Sequence, residues 1–348
     1  MSRQLALDTI WLKPTPRLAH TEYSLNYHHD YLQRQTGLPS SDPRCMQRMY
    51  ELWGIDFSFG VNDGLRGNWG AHGRATDMGH AVYARDGSDQ RNPGVCPFRS
   101  EEDVWAFDAV KEYGLPDFDE QVAAYEQSAK AARDAWPGQL TTGGYYKTIV
   151  SGAIQAFGWD MFLLAAADAA RIEPVLDSFF RRTLFHMQAW ATTSIEVIIQ
   201  HDDFVWTEGA FMHPSIYRKV IIPRYAELWK PLHRAGKKVL FCSDATFMEF
   251  VDDLIEAGAD GFIFEPSNDF ETMARRYGQS MVLVGSAVDC RDLAFCSWDV
   301  VRATMDRSFE LMRDCRGVIF AVGNHMPANI PPEMMDRFIE YLQANWAR

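Results

Sequence analysis

The sequence predicts an α/β protein whose parallel strands close into a (β/α)8 barrel, also called a TIM barrel. Short apolar runs alternate with longer segments of helical period through the second half of the chain. Nearly every position of each run is apolar, as in strands that are buried on both faces. The chain also lacks the G-x-G-x-x-G and G-x-x-x-x-G-K-[ST] motifs. Their absence favours a closed barrel over a doubly wound nucleotide-binding sheet.

Five strands and five helices are predicted in the second half. The strands are Ile195–Gln200, Val239–Cys242, Gly261–Phe264, Met281–Val284 and Val318–Val322. The helices are Pro214–Ala235, Phe247–Ala257, Asp269–Tyr277, Trp298–Arg313 and Pro331–Trp346. Gly258 and Gly278 directly follow two of these helices and are predicted to end them, because glycine readily adopts the left-handed backbone of a helix C-terminus.

The first half of the chain is less regular. It is predicted to contain a helix and a strand near its start and further helices beyond residue 120: Asp42–Trp53, strand Ile55–Phe59, Gln121–Ala135, one or two helices in Tyr145–Ala170, and Glu173–Thr192. The acidic, aromatic and glycine-rich stretch from Asp56 to Gly114 is predicted to cap the barrel mouth. Because no low-complexity linker divides the chain, residues 1–348 are predicted to form one domain, with about residues 1–140 as its elaborated N-terminal half.

Composition excludes several classes of protein. With 34 Lys and Arg against 47 Asp and Glu, the formal net charge is −13, which argues against a nucleic-acid partner. No run approaches the roughly 18 apolar residues of a membrane-spanning helix. The first residues also lack an apolar signal segment. Six cysteines are scattered without paired spacing. We therefore expect a cytoplasmic protein with reduced thiols and no membrane partner.

Polar side chains follow four of the predicted strands. They are His201, Asp202 and Asp203; Cys242, Ser243 and Asp244; Glu265; and Asn324 and His325. The carboxyl ends of barrel strands surround the active site, so these positions are the candidates for acid–base or metal chemistry. Since side chains alternate along a strand, Cys242 and Asp244 point to the same side and can face one metal or substrate.

Each candidate also has a purely structural interpretation. Cys242 can be a buried core thiol, as cysteine often is. The two adjacent aspartates can cap the following turn or pair with Arg218 or Arg224. Glu265 can be a solvated loop residue, and His325 can simply donate a hydrogen bond to a carboxylate. A thiol, an imidazole and carboxylates at one ring of strand ends would be costly to bury without a shared task, which favours the functional interpretation.

Four segments of the chain resemble the uroporphyrinogen decarboxylase superfamily: residues 145–164, 202–244, 256–266 and 318–335. The resemblance implies a (β/α)8 barrel. The decarboxylases of that superfamily carry an arginine-rich segment of the form M-R-Q-A-G-R-Y near the N-terminus, which residues 17–35 lack. The chain therefore resembles the other large branch, the corrinoid-dependent methyltransferases, and within it the O-demethylase type.

That resemblance implies the transfer of a methyl group from a methoxylated aromatic molecule to the cob(I)alamin of a partner corrinoid protein. Thiol-activating members bind zinc through His-x-Cys and a later cysteine, and the matching positions here are Cys242-x-Asp244 and Asn324-His325. We therefore expect zinc on Cys242, Asp244, Glu265 and His325. Alternatively, a protonated Asp244 or Glu265, with its pKa raised by neighbouring carboxylates, would activate the ether oxygen.

The remaining roles complete this hypothesis. Asp203, Asp244 and Glu265 are the expected catalytic residues, and Asp202 and Asn324 are expected to bind substrate. The alternatives are a decarboxylase of a carboxylated tetrapyrrole, a methylcobamide-dependent transfer to a thiol, and a non-catalytic corrinoid-binding subunit. A decarboxylase should have several arginines clustered over the mouth, whereas a methyltransferase needs an acid or a metal at the strand ends.

Overall fold

Eight parallel strand positions form the central sheet, and the protein is a (β/α)8 barrel, as predicted. The computed structural model describes residues 1–58, 60–63, 82–83, 89–90, 96–323 and 325–348. The strands in these residues are β1 (Ala19–His20), β2 (Phe57–Ser58), β3 (Asn62–Asp63), β4 (Val82–Tyr83), β5 (Asp89–Gln90), β6 (Leu140–Thr141), β7 (Gly143–Tyr146), β8 (Val197–His201), β9 (Lys238–Cys242), β10 (Gly261–Ile263), β11 (Val282–Val284) and β12 (Gly317–Phe320).

The pairing of these strands closes the sheet. β2 and β3 are successive pieces of one barrel strand, and so are β6 and β7, because β2 pairs with β6 and β3 with β7, both in parallel. β1 pairs with β12. The main-chain N–H of Asp56, just before β2, donates to the carbonyl of His20 in β1 at 2.9 Å. β4 and β5 form a separate antiparallel pair.

Helices follow most of the strands. They are α1 (Arg3–Ile10), α2 (His29–Thr36), α3 (Pro43–Trp53), α4 (Glu101–Trp105), α5 (Ala109–Tyr113), α6 (Phe118–Ala135), α7 (Val150–Phe157), α8 (Trp159–Ala166), α9 (Ala169–Ala191), α10 (Pro214–Ile216), α11 (Ile222–Arg234), α12 (Val251–Ala257), α13 (Phe270–Tyr277), α14 (Cys290–Phe295), α15 (Trp298–Arg313) and α16 (Pro332–Asn345). A π-helical segment, Tyr217–Ile221, joins α10 to α11. Within the described residues, we find no helix with the length and apolar content needed to cross a bilayer.

The strands separate two apolar layers. Val197 and Ile199 belong to the layer inside the barrel, whereas Ile198 between them packs outward with the helices. Helix α1 adds Leu5 to the inner layer. Its Arg3 pairs with Glu196, which directly precedes β8. Helix α1 therefore closes the amino-terminal end of the barrel, and the carboxyl end is left for a functional site.

The predicted elements of the second half are confirmed. All five strands lie within about two residues of their predicted bounds, and Trp298–Arg313 is a helix over the predicted range. Helices Asp42–Trp53, Gln121–Ala135 and Glu173–Thr192 are confirmed as α3, α6 and α9. Gly258 ends α12 with φ of 114°, in the left-handed region as predicted.

One predicted helix boundary is wrong, and one predicted glycine cap ends its helix in a different conformation from the one expected. The helices predicted for Tyr145–Ala170 begin only at Val150, because Tyr146 ends a barrel strand. Gly278 follows α13 but has φ of −59°, so it is not a left-handed cap. A Cβ at that position would lie 2.3 Å from the Cys315 sulfur, and this close packing explains the glycine.

Some predictions fall outside the described residues. Phe59, which would extend β2, and Asn324, the expected substrate-binding residue, are both outside them. So is much of the stretch from Asp56 to Gly114. The cap over the mouth and the single-domain organisation therefore stay predictions.

Candidate functional site at the carboxyl ends of the strands

A cavity of about 70 Å3 lies where the carboxyl ends of the strands converge. Its described lining residues come from the ends of β1, β8, β9, β10, β11 and β12: Tyr23, His201, Cys242, Ser243, Asp244, Ile263, Phe264, Glu265, Val284, Gly285, Val322, Gly323 and His325. The structure thus brings four predicted site residues, Cys242, Asp244, Glu265 and His325, to one cavity. The alternation of side chains along β8 and β9 places His201, Cys242 and Asp244 on this inner side.

His201 and Asp203 form a hydrogen-bonded pair beside the cavity. Nε2 of His201 lies 3.0 Å from Oδ1 of Asp203. The Tyr146 ring stacks on the imidazole with centroids 3.9 Å apart, and the Tyr146 hydroxyl donates to Oδ2 of Asp203 at 2.7 Å. The main-chain N–H of Asp244 donates to Oδ1 of Asp203 at 2.9 Å. These contacts fix the position of both side chains.

Glu265 is held by the backbone of the neighbouring strand end. Its Oε2 accepts a hydrogen bond of 2.6 Å from the main-chain N–H of Ala245. Ala245 has φ of 65°, a left-handed conformation that is uncommon for a residue with a Cβ. The backbone of the turn after β9 is therefore strained at Ala245, in the conformation that directs this N–H toward the carboxylate.

Left-handed non-glycine residues gather at the mouth. Of the five that the described residues contain, four follow barrel strands at this end: Ser24, Lys147, Ala245 and Ser286. Each such residue costs of the order of 1–3 kcal/mol and persists only where the surrounding structure enforces it. Because backbone strain of this kind concentrates at functional sites, the cluster supports the assignment of the mouth as the site.

Ser24 also positions His325. Its hydroxyl is hydrogen-bonded to Nδ1 of His325, and the Tyr23 ring lies beside the imidazole with centroids 6.4 Å apart. A β-bridge between Tyr23 and His325 ties the two segments together. These contacts fix the orientation of the His325 imidazole at the edge of the cavity.

The site carries excess negative charge. Burial, followed by repulsion from Asp244 and Asp203, raises the pKa of the Cys242 thiol well above its usual range. Burial also raises the pKa of Glu265, with a further contribution from Asp203. Burial alone would raise the pKa of Asp203, but His201 and the hydrogen bonds to the carboxylate outweigh it and lower that pKa. Asp203 is therefore ionised, whereas Cys242 is a neutral thiol.

Three side chains approach one another closely enough to share a metal ion. One ligand atom each from His201, Asp203 and Asp244 lies within 4.8 Å of the others. An imidazole nitrogen and two carboxylate oxygens suit a divalent cation such as Zn²⁺, so the residues present fit a metal. Only Asp244 belongs to the zinc set expected from the sequence. Among the described residues, the other three members of that set do not form such a group.

The structure contradicts the expectation that Asp202 binds substrate. Its carboxylate is fully buried and points away from the cavity toward the start of α7. It accepts hydrogen bonds from the main-chain N–H groups of Ile149, Val150 and Ser151, from the Ser151 hydroxyl, and from Tyr225. With five donors on its two oxygens, Asp202 anchors a helix N-terminus and has no capacity left for a ligand.

Tyr23 and Tyr146 have no place in the sequence-based assignment of the site. His201 is a candidate in the sequence, but no specific role is assigned to it. The spacing of His201 and Asp203 is a signal that was available, because positions i and i+2 of a strand lie on the same side. Tyr146 gave no comparable signal, since β7 was not predicted as a strand. The roles of Asp203, Asp244 and Glu265 in catalysis stay predictions.

A larger depression of about 820 Å3 lies elsewhere, outside the barrel between β7 and helices α6 and α9. Tyr145, Arg182 and His186 are among its lining residues. Its described lining includes none of the polar residues that follow the strands. Tyr145 faces outward into this depression, whereas its neighbour Tyr146 faces the mouth of the barrel. We therefore place the chemistry in the smaller cavity.

Comparison with known proteins agrees with this architecture. A solved structure called a methyltransferase, from Methanosarcina mazei, superposes with a TM-score of 0.68 over 99% of this chain and 98% of that chain, at 16% sequence identity. At this identity, the likeness concerns the fold. No curated protein sequence matches the chain significantly. The family model described as uroporphyrinogen decarboxylase (URO-D) matches residues 162–344, just over half of the chain. The chain therefore belongs to the uroporphyrinogen decarboxylase family.

Proposed function

We propose that the protein transfers a methyl group from a methoxylated aromatic molecule to the cob(I)alamin of a corrinoid protein. The observation that carries the proposal is the composition of the cavity, where an imidazole, a thiol and carboxylates meet. A fold neighbour called a methyltransferase supports methyl transfer in general. The O-demethylase reaction, the aromatic donor and the corrinoid partner are the parts of the proposal that experiment must establish.

An aryl methyl ether resists substitution because the phenolate is a poor leaving group. In the proposed reaction the bond between methyl carbon and ether oxygen breaks, and the methyl group passes to cobalt(I) of the partner. The departing oxygen then needs an acid. Glu265 fits that role, because burial raises the pKa of its carboxyl group and favours the protonated form. A divalent metal bound among the carboxylates would act as a Lewis acid on the same oxygen.

The lining of the cavity disfavours the decarboxylase alternative. Anchoring a carboxylated tetrapyrrole requires several cationic side chains over the mouth. Among the described lining residues there is neither an arginine nor a lysine. The ionised Asp203 beside the cavity would repel substrate carboxylates. Among the described residues, the lining of the cavity therefore favours a neutral ether over a polyanionic substrate.

The test combines purified protein, a reduced corrinoid protein and a panel of methoxylated phenols. We expect the methylcobalamin absorption to rise as free phenol appears in equal amount. Glu265→Gln should slow both signals together, whereas Glu310→Gln on the exposed face of α15 should not. Absence of methyl transfer over the whole panel, with a corrinoid protein shown to be competent in another reaction, would refute the proposal. Release of carbon dioxide from a porphyrinogen would favour the decarboxylase instead.

A further inference from the structure

We propose that His201, Asp203 and Asp244 bind a divalent metal cation between the carboxyl ends of β8 and β9. The inference deepens the proposed function, because a cation at this place would act on the ether oxygen. Metal binding itself can be measured without any methyl transfer. The site differs from the zinc set expected from the sequence, in which Cys242, Glu265 and His325 accompany Asp244.

Geometry is the first argument. One ligand atom from each of the three side chains lies within 4.8 Å of the other two. Ligands at the usual zinc distances of about 2.0–2.2 Å are separated from one another by roughly 3–3.5 Å. Modest movements of the Asp244 side chain, which is only half-buried, would therefore complete the group. His201 and Asp203 are already placed by Tyr146 and by the backbone.

The imidazole of His201 provides a second, independent observation. The residue is 9% exposed. One ring nitrogen, Nε2, pairs with Asp203, and the other, Nδ1, is buried without a hydrogen-bond partner among the described residues. An unsatisfied buried nitrogen costs about 1–3 kcal/mol. The buried imidazole of His201 thus has one nitrogen, Nδ1, that no described residue hydrogen-bonds. This is expected of a metal ligand rather than of a structural histidine.

Charge is the third argument. Asp203 and Asp244 lie next to Glu265 and Cys242, and no arginine or lysine is among the described residues that line the cavity. Carboxylates gathered in a partly buried site repel one another, and a bound cation removes that repulsion. The site therefore favours a divalent cation over a neutral ligand.

The donor set indicates the class of cation. One imidazole nitrogen with two carboxylate oxygens is a set used for Zn²⁺ and for other first-row divalent metals. Three protein ligands leave a coordination position open toward the cavity, which is typical of catalytic rather than structural zinc. Cys242 lines the same cavity, but among the described residues its sulfur does not belong to the group of ligand atoms that lie within 4.8 Å of one another.

Metal binding to the purified full-length chain tests the site. The protein is stripped with a chelator and titrated with Zn²⁺ or Co²⁺, and bound metal is counted by elemental analysis. We expect one ion per chain and a Co²⁺ spectrum without thiolate charge transfer. His201→Ala and Asp244→Asn should each weaken binding at least tenfold. The matched variants Cys242→Ser and His325→Gln should retain the ion.

The outcomes separate the two proposals. Loss of the ion in Cys242→Ser or His325→Gln, with retention in His201→Ala, would overturn the inference, and so would a stripped wild-type chain that binds no ion. Circular dichroism of every variant controls for folding, and Asp244→Asn serves if His201→Ala does not fold. Bound metal without methyl transfer would support this metal site and refute the proposed function. Methyl transfer by a chain that binds no added ion would support the proposed function and overturn this metal site.

Discussion

Tyr146 contacts both members of the His201–Asp203 pair. Its ring stacks on the imidazole, and its hydroxyl donates to the carboxylate. Burial, and then the charge of Asp203, raise the pKa of Tyr146 well above its usual range, so the hydroxyl keeps its proton and stays a donor. In the proposed reaction Tyr146 would therefore be a positioning residue, acting through these two neighbours.

Replacing Tyr146 by Phe tests this role. The ring stays and only the hydrogen bond to Asp203 is lost, so we expect kcat of methyl transfer to fall about 10- to 100-fold, as for other residues that orient a functional side chain. KM for the methoxylated substrate should change little. The matched control is Tyr145→Phe on the outer face of the same strand, where the hydroxyl contacts Arg182 and not the site. Equal losses in the two variants would show that Tyr146 is merely structural.

Asp202 and Asp203 differ in the direction of their side chains, and this direction decides the role of each residue. The two side chains are chemically identical and adjacent. One saturates the N-terminus of α7, and the other faces His201. The sequence indicates that both follow a strand, but the direction of each side chain depends on where the strand ends and on which helix lies behind it.

At the scale of elements, α9 packs its His186 against β7. Nδ1 of His186 lies 2.8 Å from the Tyr125 hydroxyl on α6, and the Tyr145 ring stacks on the imidazole with centroids 4.5 Å apart. Burial, followed by repulsion from Arg182, lowers the pKa of His186 to about 3. The contact of α6, α9 and β7 thus requires a neutral imidazole.

This requirement predicts a pH dependence of stability. The unfolded chain takes up the proton near pH 6.5, whereas the folded chain does so only near pH 3, so the contribution of His186 is complete above pH 6.5 and is lost as pH falls between these values. From pH 7 to pH 5 the loss is about 2 kcal/mol. Urea unfolding at both pH values should show a loss that is about 2 kcal/mol larger in the wild type than in His186→Phe, because only the wild type carries the His186 contribution. His213→Gln, on the surface, should behave like the wild type; a His186→Phe variant with the wild-type slope would contradict the assignment.

The missed strand β7 shows why some elements escape prediction. Its sequence, Gly-Gly-Tyr-Tyr, has no β-branched residue. A Cβ on Gly143 would lie 2.6 Å from the Trp190 ring, and one on Gly144 would lie 2.7 Å from the Ile199 carbonyl. The glycines are thus required by close packing against α9 and β8. Local propensity carries no information on such neighbours, whereas β8 to β12 are apolar throughout and were predictable.

At the scale of the whole molecule, Asp56 holds the two ends of the chain to the barrel. It is fully buried and accepts two hydrogen bonds from the Arg17 guanidinium, at 2.7 and 2.8 Å. It also accepts from the main-chain N–H groups of Ser2 and His20. The Arg17 guanidinium lies over the Trp346 ring, 4.2 Å from its centre. One carboxylate therefore connects the N-terminus, the first two barrel strands and the C-terminal segment.

Removing this carboxylate should destabilise the entire fold. For Asp56→Asn we expect the free energy of unfolding to fall by about 3–5 kcal/mol, because Arg17 and two N–H groups lose a buried charged partner. Urea unfolding measures the change. The control is the exposed pair Asp252–Arg276, whose coupling in a double-mutant cycle should be below about 1 kcal/mol. A comparable small coupling for Asp56 and Arg17 would show that barrel closure does not depend on them.

The barrel and the ring of polar strand ends follow from the pattern of residues along the chain. Continuous apolar runs identify strands buried on both faces, and the residue after each run must lie at the mouth. This pattern thereby places Cys242, Asp244, Glu265 and His325 around one cavity. Distances between side chains follow only from the tertiary structure. It brings His201 and Asp203 close to Asp244, and it directs the Asp202 carboxylate to the N-terminus of α7. The physical reason is that apolar periodicity is a local property of the chain, whereas ligand distances depend on neighbouring strands and on side chains from distant segments such as Tyr146.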